Sequence, residues 1–351
     1  CILKLKKLSD QSMVVFGASS GIGKLTAKKA AAAGAKVFVA ARGEEGLRSL
    51  KEEIIQAGGF CEYLVADTQN FEEVKKVADK AVELFGKLDT WVHCAGVYLI
   101  SPFEQTKPEE FEQIIKINLI GQAYGALAAI PHLKNSSGGA LIHISSVEAK
   151  CPIPWQAAYA ASKAGIVGML DALRIELLKE KAPISVTNIM PAAINTPLFS
   201  KAKTRIGVKP NAPDPVYDPE VVADVILYAS ENPIREVYAG AGAFLYAFGR
   251  NNMPALMDTV MLNTIFKQQM TNESKSEMDS NNFDQPTSPN TVRGEFGDRA
   301  KKNSPLMWLA LNPIIKNLAM GLGFLFLSMI LNTIQNRTKF PIATLTSTRK
   351  R

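Results

Sequence analysis

Two residues in this chain are spaced for proton transfer. Tyr159 and Lys163 stand four apart in Tyr159-Ala-Ala-Ser-Lys163. On a helix that spacing puts both side chains on one face. A free phenol titrates near pH ~10 and is a poor acid or base at neutral pH. An ammonium close by favours the phenolate and lowers that pKa, so the pair can donate a proton to a carbonyl oxygen. Taken alone, such a pair arises often by chance. Ser146 lies thirteen residues earlier, just after the apolar run Leu141–Ile144. If that run is a strand, Ser146 sits at the C-terminal edge of a sheet, where ligands bind in open α/β architectures.

A second constellation is suited to holding phosphate. Gly17-Ala18-Ser19-Ser20-Gly21-Ile22-Gly23 joins an apolar run, Met13–Phe16, to an Ala-rich helical pattern, Ile22–Ala33. Glycines permit a tight turn and close approach of the backbone to a pyrophosphate, and the helix N-terminus offers free N–H groups. A plain glycine turn is the alternative. The next strand pattern ends Ala40-Ala41-Arg42. An acid there would bind the ribose 2′-hydroxyl of NAD; an Arg can pair with a 2′-phosphate instead. This reading favours NADP(H) over NAD(H), against Arg42 as a solvated strand-end residue. Asp67 closes the third strand pattern and either accepts a bond from an adenine amino group or caps the helix beginning near Asn70.

The elements needed to position these groups are legible. Lys36–Ala41, Cys61–Ala66, Thr90–Cys94, Ala140–Ile144 and Ile184–Met190 are continuous apolar runs of the kind that strands buried on both faces require. Helical patterns at Glu44–Ala57, Phe71–Phe85, Pro108–Leu133 and Ala157–Lys181 separate them. The alternation predicts a doubly wound α/β fold with a parallel sheet. Asn195–Pro219 is expected to be a long loop, Pro219–Ser230 a helix, Glu236–Phe248 a last strand and Pro254–Gln269 a helix. The expected organisation is a catalytic domain over 1–250, a helix over 251–270, a flexible polar linker over 271–305, an apolar helical segment over 306–336 and a basic tail over 337–351. Asn317–Asn336 carries no charge over 20 residues, long enough to cross a bilayer. It is either a membrane anchor, leaving the domain in the cytoplasm, or an apolar helix packed on protein.

The 351 residues are 47% hydrophobic and carry a net charge of +7. From Lys267 onward twelve basic residues face six acidic ones, so the main body is close to neutral and offers no nucleic-acid surface. The cysteines Cys1, Cys61, Cys94 and Cys151 form no CxxC pair and have no His cluster beside them, which suggests reduced thiols and no metal site. The opening CILKLKKLSDQ is too charged for a signal peptide.

With GASSGIG at Gly17–Gly23, Cys94-Ala95-Gly96, Asn118, Ser145-Ser146 and Tyr159–Lys163 in this order, the sequence resembles the short-chain dehydrogenase/reductase superfamily over about Lys7–Phe248. The resemblance implies a Rossmann fold and hydride exchange between a nicotinamide and a carbonyl or alcohol. It implies catalytic roles for Asn118 (a water in a proton relay), Ser146 (carbonyl polarisation), Tyr159 (general acid/base) and Lys163 (nicotinamide ribose and Tyr159 tuning). It implies cofactor contacts at Gly17, Ser19, Ser20, Gly21, Ile22, Gly23, Arg42, Asp67, Ala95, Gly96, Tyr159, Lys163, Pro191, Ile194 and Thr196, and a homo-oligomer built on the 108–133 and 157–181 helices. Phe16 stands where the family usually has Thr, His93-Cys94 where it has Asn-Asn, and Pro191-Ala192-Ala193 where it has Pro-Gly. His93 reads as a packed strand-end residue rather than a base. The apolar tail resembles that of a subset of the family. A membrane-tethered, non-enzymatic NADP-binding regulator is the alternative function.

Overall fold

The computed structural model describes residues 3–312 and 315. Two compact units are separable, Cys1–Met307 and Trp308–Arg351. Most of the apolar segment expected over 306–336, and all of the 337–351 tail, lie outside the described residues.

Seven strands form the central sheet: β1 (Ser12–Phe16), β2 (Lys36–Ala41), β3 (Phe60–Val65), β4 (Thr90–His93), β5 (Gly139–Ile144), β6 (Ile184–Pro191) and β7 (Glu236–Ala239). Their order is β7-β6-β5-β4-β1-β2-β3 and every pairing is parallel. Parallel strands need crossovers. α1 (Gly21–Ala32), α2 (Glu44–Gln56), α3 (Phe71–Phe85), α4 (Pro108–Ile115), α5 (Gly121–Lys134), α6 (Ala157–Lys179) and α7 (Glu220–Glu231) supply them. β1, β4, β5 and β6 are buried throughout, which explains their unbroken apolar sequence. Between β1 and β4 the chain order reverses direction across the sheet, and ligand clefts of such folds open there.

The 108–134 helical stretch is one continuous run with a π turn at Lys116–Ile120. It is long and apolar enough to cross a membrane, but half of its most apolar window is buried inside the domain, as a core helix requires. The Asn195–Pro219 loop contains short strands, Lys203–Thr204, Val208–Pro210 and Val216–Tyr217.

Two expectations are corrected. The last strand ends at Ala239, and Ala241–Asn252 is a helix. Gly240, at φ +104°, makes the break, and a Cβ there would meet the Tyr217 ring at 2.9 Å; an apolar run of this length fits either period. The polar 271–305 segment is not a free linker. Met270–Ser274 pairs antiparallel with Val208–Pro210. Phe283 is fully buried beside Tyr98, Tyr159 and Phe199, and Arg293 makes a two-pronged ion pair with Asp218. Its many Asn, Ser and Asp residues serve turns: Asn281 Oδ1 accepts the N–H groups of Phe283 and Asp284. Burying a Phe side chain stabilises by roughly 1.5–3 kcal/mol, which polar composition conceals.

Candidate active site

The phosphate loop follows β1 directly. Gly17 (φ +91°) and Gly21 (φ +58°) adopt left-handed backbone, where a side chain is strained. A Cβ on Gly23 would stand 2.3 Å from the Gly17 carbonyl oxygen. The loop thus needs glycine at both ends. It presents the first turn of α1, whose N–H groups have no helix carbonyl ahead of them. One is already engaged: Gly21 N–H donates to the Thr291 carbonyl at 2.9 Å.

Gly17, Ser19, Ser20, Gly21, Ile22, Gly23, Arg42, Ala95, Gly96 and Thr196 all line one groove. Asn282, Pro286, Thr287, Ser288 and Asn290 form its outer wall, which sequence reasoning missed because it treated them as linker. Arg42 donates to the Asn282 carbonyl and Lys24 to that of Asn290. Glu44 and Glu45 also line the groove. Asp67 does not: its neighbours Ala66 and Thr68 do. The Asp67 carboxylate instead accepts the Gln69 N–H at 2.9 Å. Nor does Asp67 cap α3, since Asn70 accepts from Glu72 N–H and Glu73 N–H.

A second cavity holds Ser146, Tyr159 and Lys163, with Pro191 and Ile194 in its wall. It shares Ile22, Cys94, Gly96, Thr196 and Leu198 with the groove, so the two spaces adjoin. Ser146 lies two residues beyond β5 and caps a 3₁₀ turn, Val147–Ala149, where its Oγ accepts the Glu148 N–H. Tyr159 and Lys163 lie in the first two turns of α6 and are almost fully buried. Lys163 Nζ stands 5.4 Å from the Tyr159 ring centre and donates to the Ile144 carbonyl at 3.0 Å.

Burial dominates the electrostatics of this pair. Burial, then the Glu148 charge, push the Tyr159 phenol above its ordinary pKa, and the Ser146 hydroxyl pulls it down. Burial also lowers the pKa of Lys163, to about 8. The cavity alone therefore holds a phenol, a form ready to donate a proton.

Asn118 lies in the π turn and its amide is fully engaged. It accepts from Val97 N–H at 2.8 Å and donates to the Val97 carbonyl at 3.0 Å. It braces the strand-end turn at Gly96, where a Cβ would lie 3.4 Å from Asn118 Oδ1 and 3.7 Å from Lys163 Nζ.

His93 is fully buried, bonded to Thr68 at 3.2 Å, and stacked between Phe16 and His143. Burial lowers its pKa well below the ordinary value. Burial also pushes the Cys94 thiol up to about 12. Cys61, Cys94 and Cys151 are free, and no group of acidic, His or Cys side chains among the described residues could hold a metal. One cavity residue had no sequence signal. Glu148 is 5% exposed beside Tyr98 and Lys163, and burial pushes its carboxyl up to about 8.

Comparison with known proteins agrees with this architecture. The short chain dehydrogenase family matches residues 11–206. An uncharacterized oxidoreductase of Bacillus subtilis, YxnA, is 38% identical over 269 residues, 76% of each chain. The 3beta-hydroxysteroid dehydrogenase 1 of Eggerthella lenta is 37% identical over 193 residues, 54% of this chain and 73% of the relative. An alcohol dehydrogenase from the archaeon Thermococcus sibiricus, solved with 5-hydroxy-NADP, superposes with a TM-score of 0.57 at 24% identity, covering 64% of this chain and 94% of that one; it supports the fold. With the family match spanning over half the chain, and the phosphate loop lining one of two adjoining cavities and Ser146, Tyr159 and Lys163 the other, this protein belongs to the short chain dehydrogenase family and is an oxidoreductase.

Proposed function

We propose that the protein is an NADP(H)-dependent carbonyl/alcohol oxidoreductase in which Tyr159 is the general acid/base. The observation that carries this reading is that the two cavities adjoin. Gly96, Ile22 and Thr196 border both the phosphate-loop groove and the space that holds Ser146 and Tyr159.

The glycine cradle fits a dinucleotide: Gly17 and Gly23 leave no room for side chains, and the α1 N-terminus faces the groove. The bound nicotinamide supplies or accepts the hydride. Ser146 Oγ donates to the substrate carbonyl oxygen and polarises it. Tyr159 donates its phenolic proton to that oxygen in reduction and takes it back in oxidation. Lys163, held by the Ile144 carbonyl, binds the nicotinamide ribose and stabilises the transient phenolate. Asn118 is a positioning residue with its side chain committed to Val97, so a relay water would rest on its main-chain carbonyl. Pro191, Ile194 and Thr196 close the nicotinamide end, and Arg42 exchanges the Asn282 carbonyl for a 2′-phosphate.

Most of the substrate cavity is apolar, with Cys151, Ile153, Phe199, Met261 and Ile265 in its wall. It suits a carbonyl compound with an apolar body. The similarity to a hydroxysteroid dehydrogenase supports including such compounds in the screen.

Self-association is part of this reading. Leu127 on α5 and Ile175 and Leu178 on α6 are exposed, as a contact between two copies through these helices requires.

The deciding experiment is NADPH and NADH binding and oxidation by the purified full chain against aldehydes, ketones and quinones, with Tyr159→Phe beside it. NADPH turnover that disappears in Tyr159→Phe while NADPH still binds is the expected result. Tight NADPH binding with no turnover on any carbonyl would favour the regulator, and a preference for NADH would refute the role given to Arg42.

A further inference from the structure

The substrate cavity contains a polar cluster that proton transfer through Tyr159 does not use. Glu148, Tyr98 and Gln156 are 5%, 3% and 1% exposed, and Glu148 and Tyr98 both line the cavity. A buried carboxyl is costly unless it is bonded. With the Gln156 amide turned so that its nitrogen faces inward, that nitrogen lies 2.8 Å from each Glu148 carboxyl oxygen and meets the Tyr98 hydroxyl. The other end of the amide meets Gln269 at 2.6 Å. The Gln269 nitrogen, otherwise without a partner among the described residues, gains an acceptor if it turns as well. Gln156 is therefore fixed from behind, with Glu148 and Tyr98 in front of it.

This arrangement leaves hydrogen-bonding capacity facing the cavity. Tyr98 can donate its O–H to the Gln156 oxygen or accept from the Gln156 nitrogen, and in the second arrangement its O–H is open to a ligand acceptor. A neutral carboxyl both donates and accepts, and burial favours that form of Glu148. The cluster is close to the reacting position: the Tyr98 and Tyr159 rings meet edge to face at 4.9 Å. Around it the wall is apolar, with Cys151, Ile153 and Phe199.

We propose that Tyr98 and Glu148, held by Gln156, form a second polar subsite that binds a hydroxyl or keto oxygen of the substrate a few bonds from the reacting carbon. The substrate is then a hydroxycarbonyl or dicarbonyl compound with apolar flanks. This rests on the carbonyl-reductase reading for the reacting oxygen. A simple ketone leaves the cluster facing apolar groups, and unpaired buried polar groups are what make such sites selective. A cluster that only braced the Val147–Ala149 turn would not discriminate between ligands.

The test compares benzoin, an α-hydroxyketone with apolar flanks, with deoxybenzoin, which lacks the hydroxyl. Binding of each to the full chain is measured by calorimetry, with and without NADPH. Benzoin is expected to bind about tenfold more tightly, the value of one well-placed hydrogen bond. Tyr98→Phe and Glu148→Ala should flatten the preference and Glu148→Gln should retain most of it. If Glu148→Ala fails to fold, Tyr98→Phe alone decides. Equal affinity in the wild type, no binding of either compound, or a preference that survives Tyr98→Phe overturns the subsite. A benzoin preference in binding without turnover of any carbonyl would overturn the reductase reading and leave the subsite standing. Carbonyl turnover without a benzoin preference would do the reverse.

Discussion

The main-chain N–H of Gly21, first residue of α1, donates to the carbonyl of Thr291 at 2.9 Å. The chain beyond the catalytic helices thus returns to the phosphate loop and closes the groove from outside. Asn282 and Asn290 repeat the contact at Arg42 and Lys24, and Phe283 anchors the segment in the core. Truncation after Met307, at the end of the first compact unit, gives the reference melting temperature. Truncation after Gln269 exposes the Phe283 site and unpairs Asp218, and should lower it by roughly 5 °C or more. Differential scanning calorimetry on the two chains checks this, and equal melting of both would show that the segment does not stabilise the domain.

Arg42 lies in the groove wall with its guanidinium on a main-chain carbonyl. Exchange of that partner for a 2′-phosphate adds a charge-assisted bond. Arg42→Ala should weaken NADPH binding by about tenfold to a hundredfold and leave NADH binding as it was. Parallel fluorescence titrations with both nucleotides measure the ratio; equal losses for the two would assign Arg42 a structural role.

Glu148 predicts a pH dependence of stability. Burial raises its folded pKa from 4.5 to about 8. Between those values the folded protein holds a proton that the unfolded chain has released, so the contribution is fully present below pH 4.5 and is lost as pH rises to about 8. Glu148→Gln cannot lose it. The stability of Glu148→Gln relative to wild type should therefore rise steadily from pH 5 to pH 8, a window that ends at the raised pKa of about 8. Urea denaturation at several pH values checks this, and a constant difference would mean that Glu148 is ionised in the fold.

Phe16 and His93 replace the family's usual Thr and Asn, and they are register partners on β1 and β4 whose rings stack at 5.1 Å. Each departure accommodates the other. Phe16→Thr should cost about 3 kcal/mol by opening a cavity against the His93 ring. Combined with His93→Asn it should cost less than the sum, by about 0.5–1.5 kcal/mol. A double-mutant cycle in urea measures the coupling, and strict additivity would show that the stacked rings contribute independently of each other.

Leu127 and Leu178 are 59% and 67% exposed on α5 and α6. If these helices meet a second copy, Leu178→Glu should shift the sedimentation coefficient to that of a monomer. A wild type that already sediments as a monomer would refute the interface.

The sequence by itself determined the sheet and its order of elements, because strands buried on both faces must be unbroken apolar runs and helices must carry a 3.6-residue period. Each of the first six strands lies within a residue or two of its expected bounds. It determined the phosphate loop and the Tyr159–Lys163 pair for the same reason: their chemistry depends on local spacing along one element. Tertiary structure decided what depends on distant partners. Glu148 became a cavity residue only because β5, α6 and the turn between them meet Tyr98 and Gln156. The sign of the Tyr159 shift followed from burial, which no spacing records. The polar 271–305 segment became a wall of the groove because a few residues, Phe283 and Arg293 foremost, find buried or charged partners far away in the chain. Composition averages over such residues, and only the packed fold singles them out.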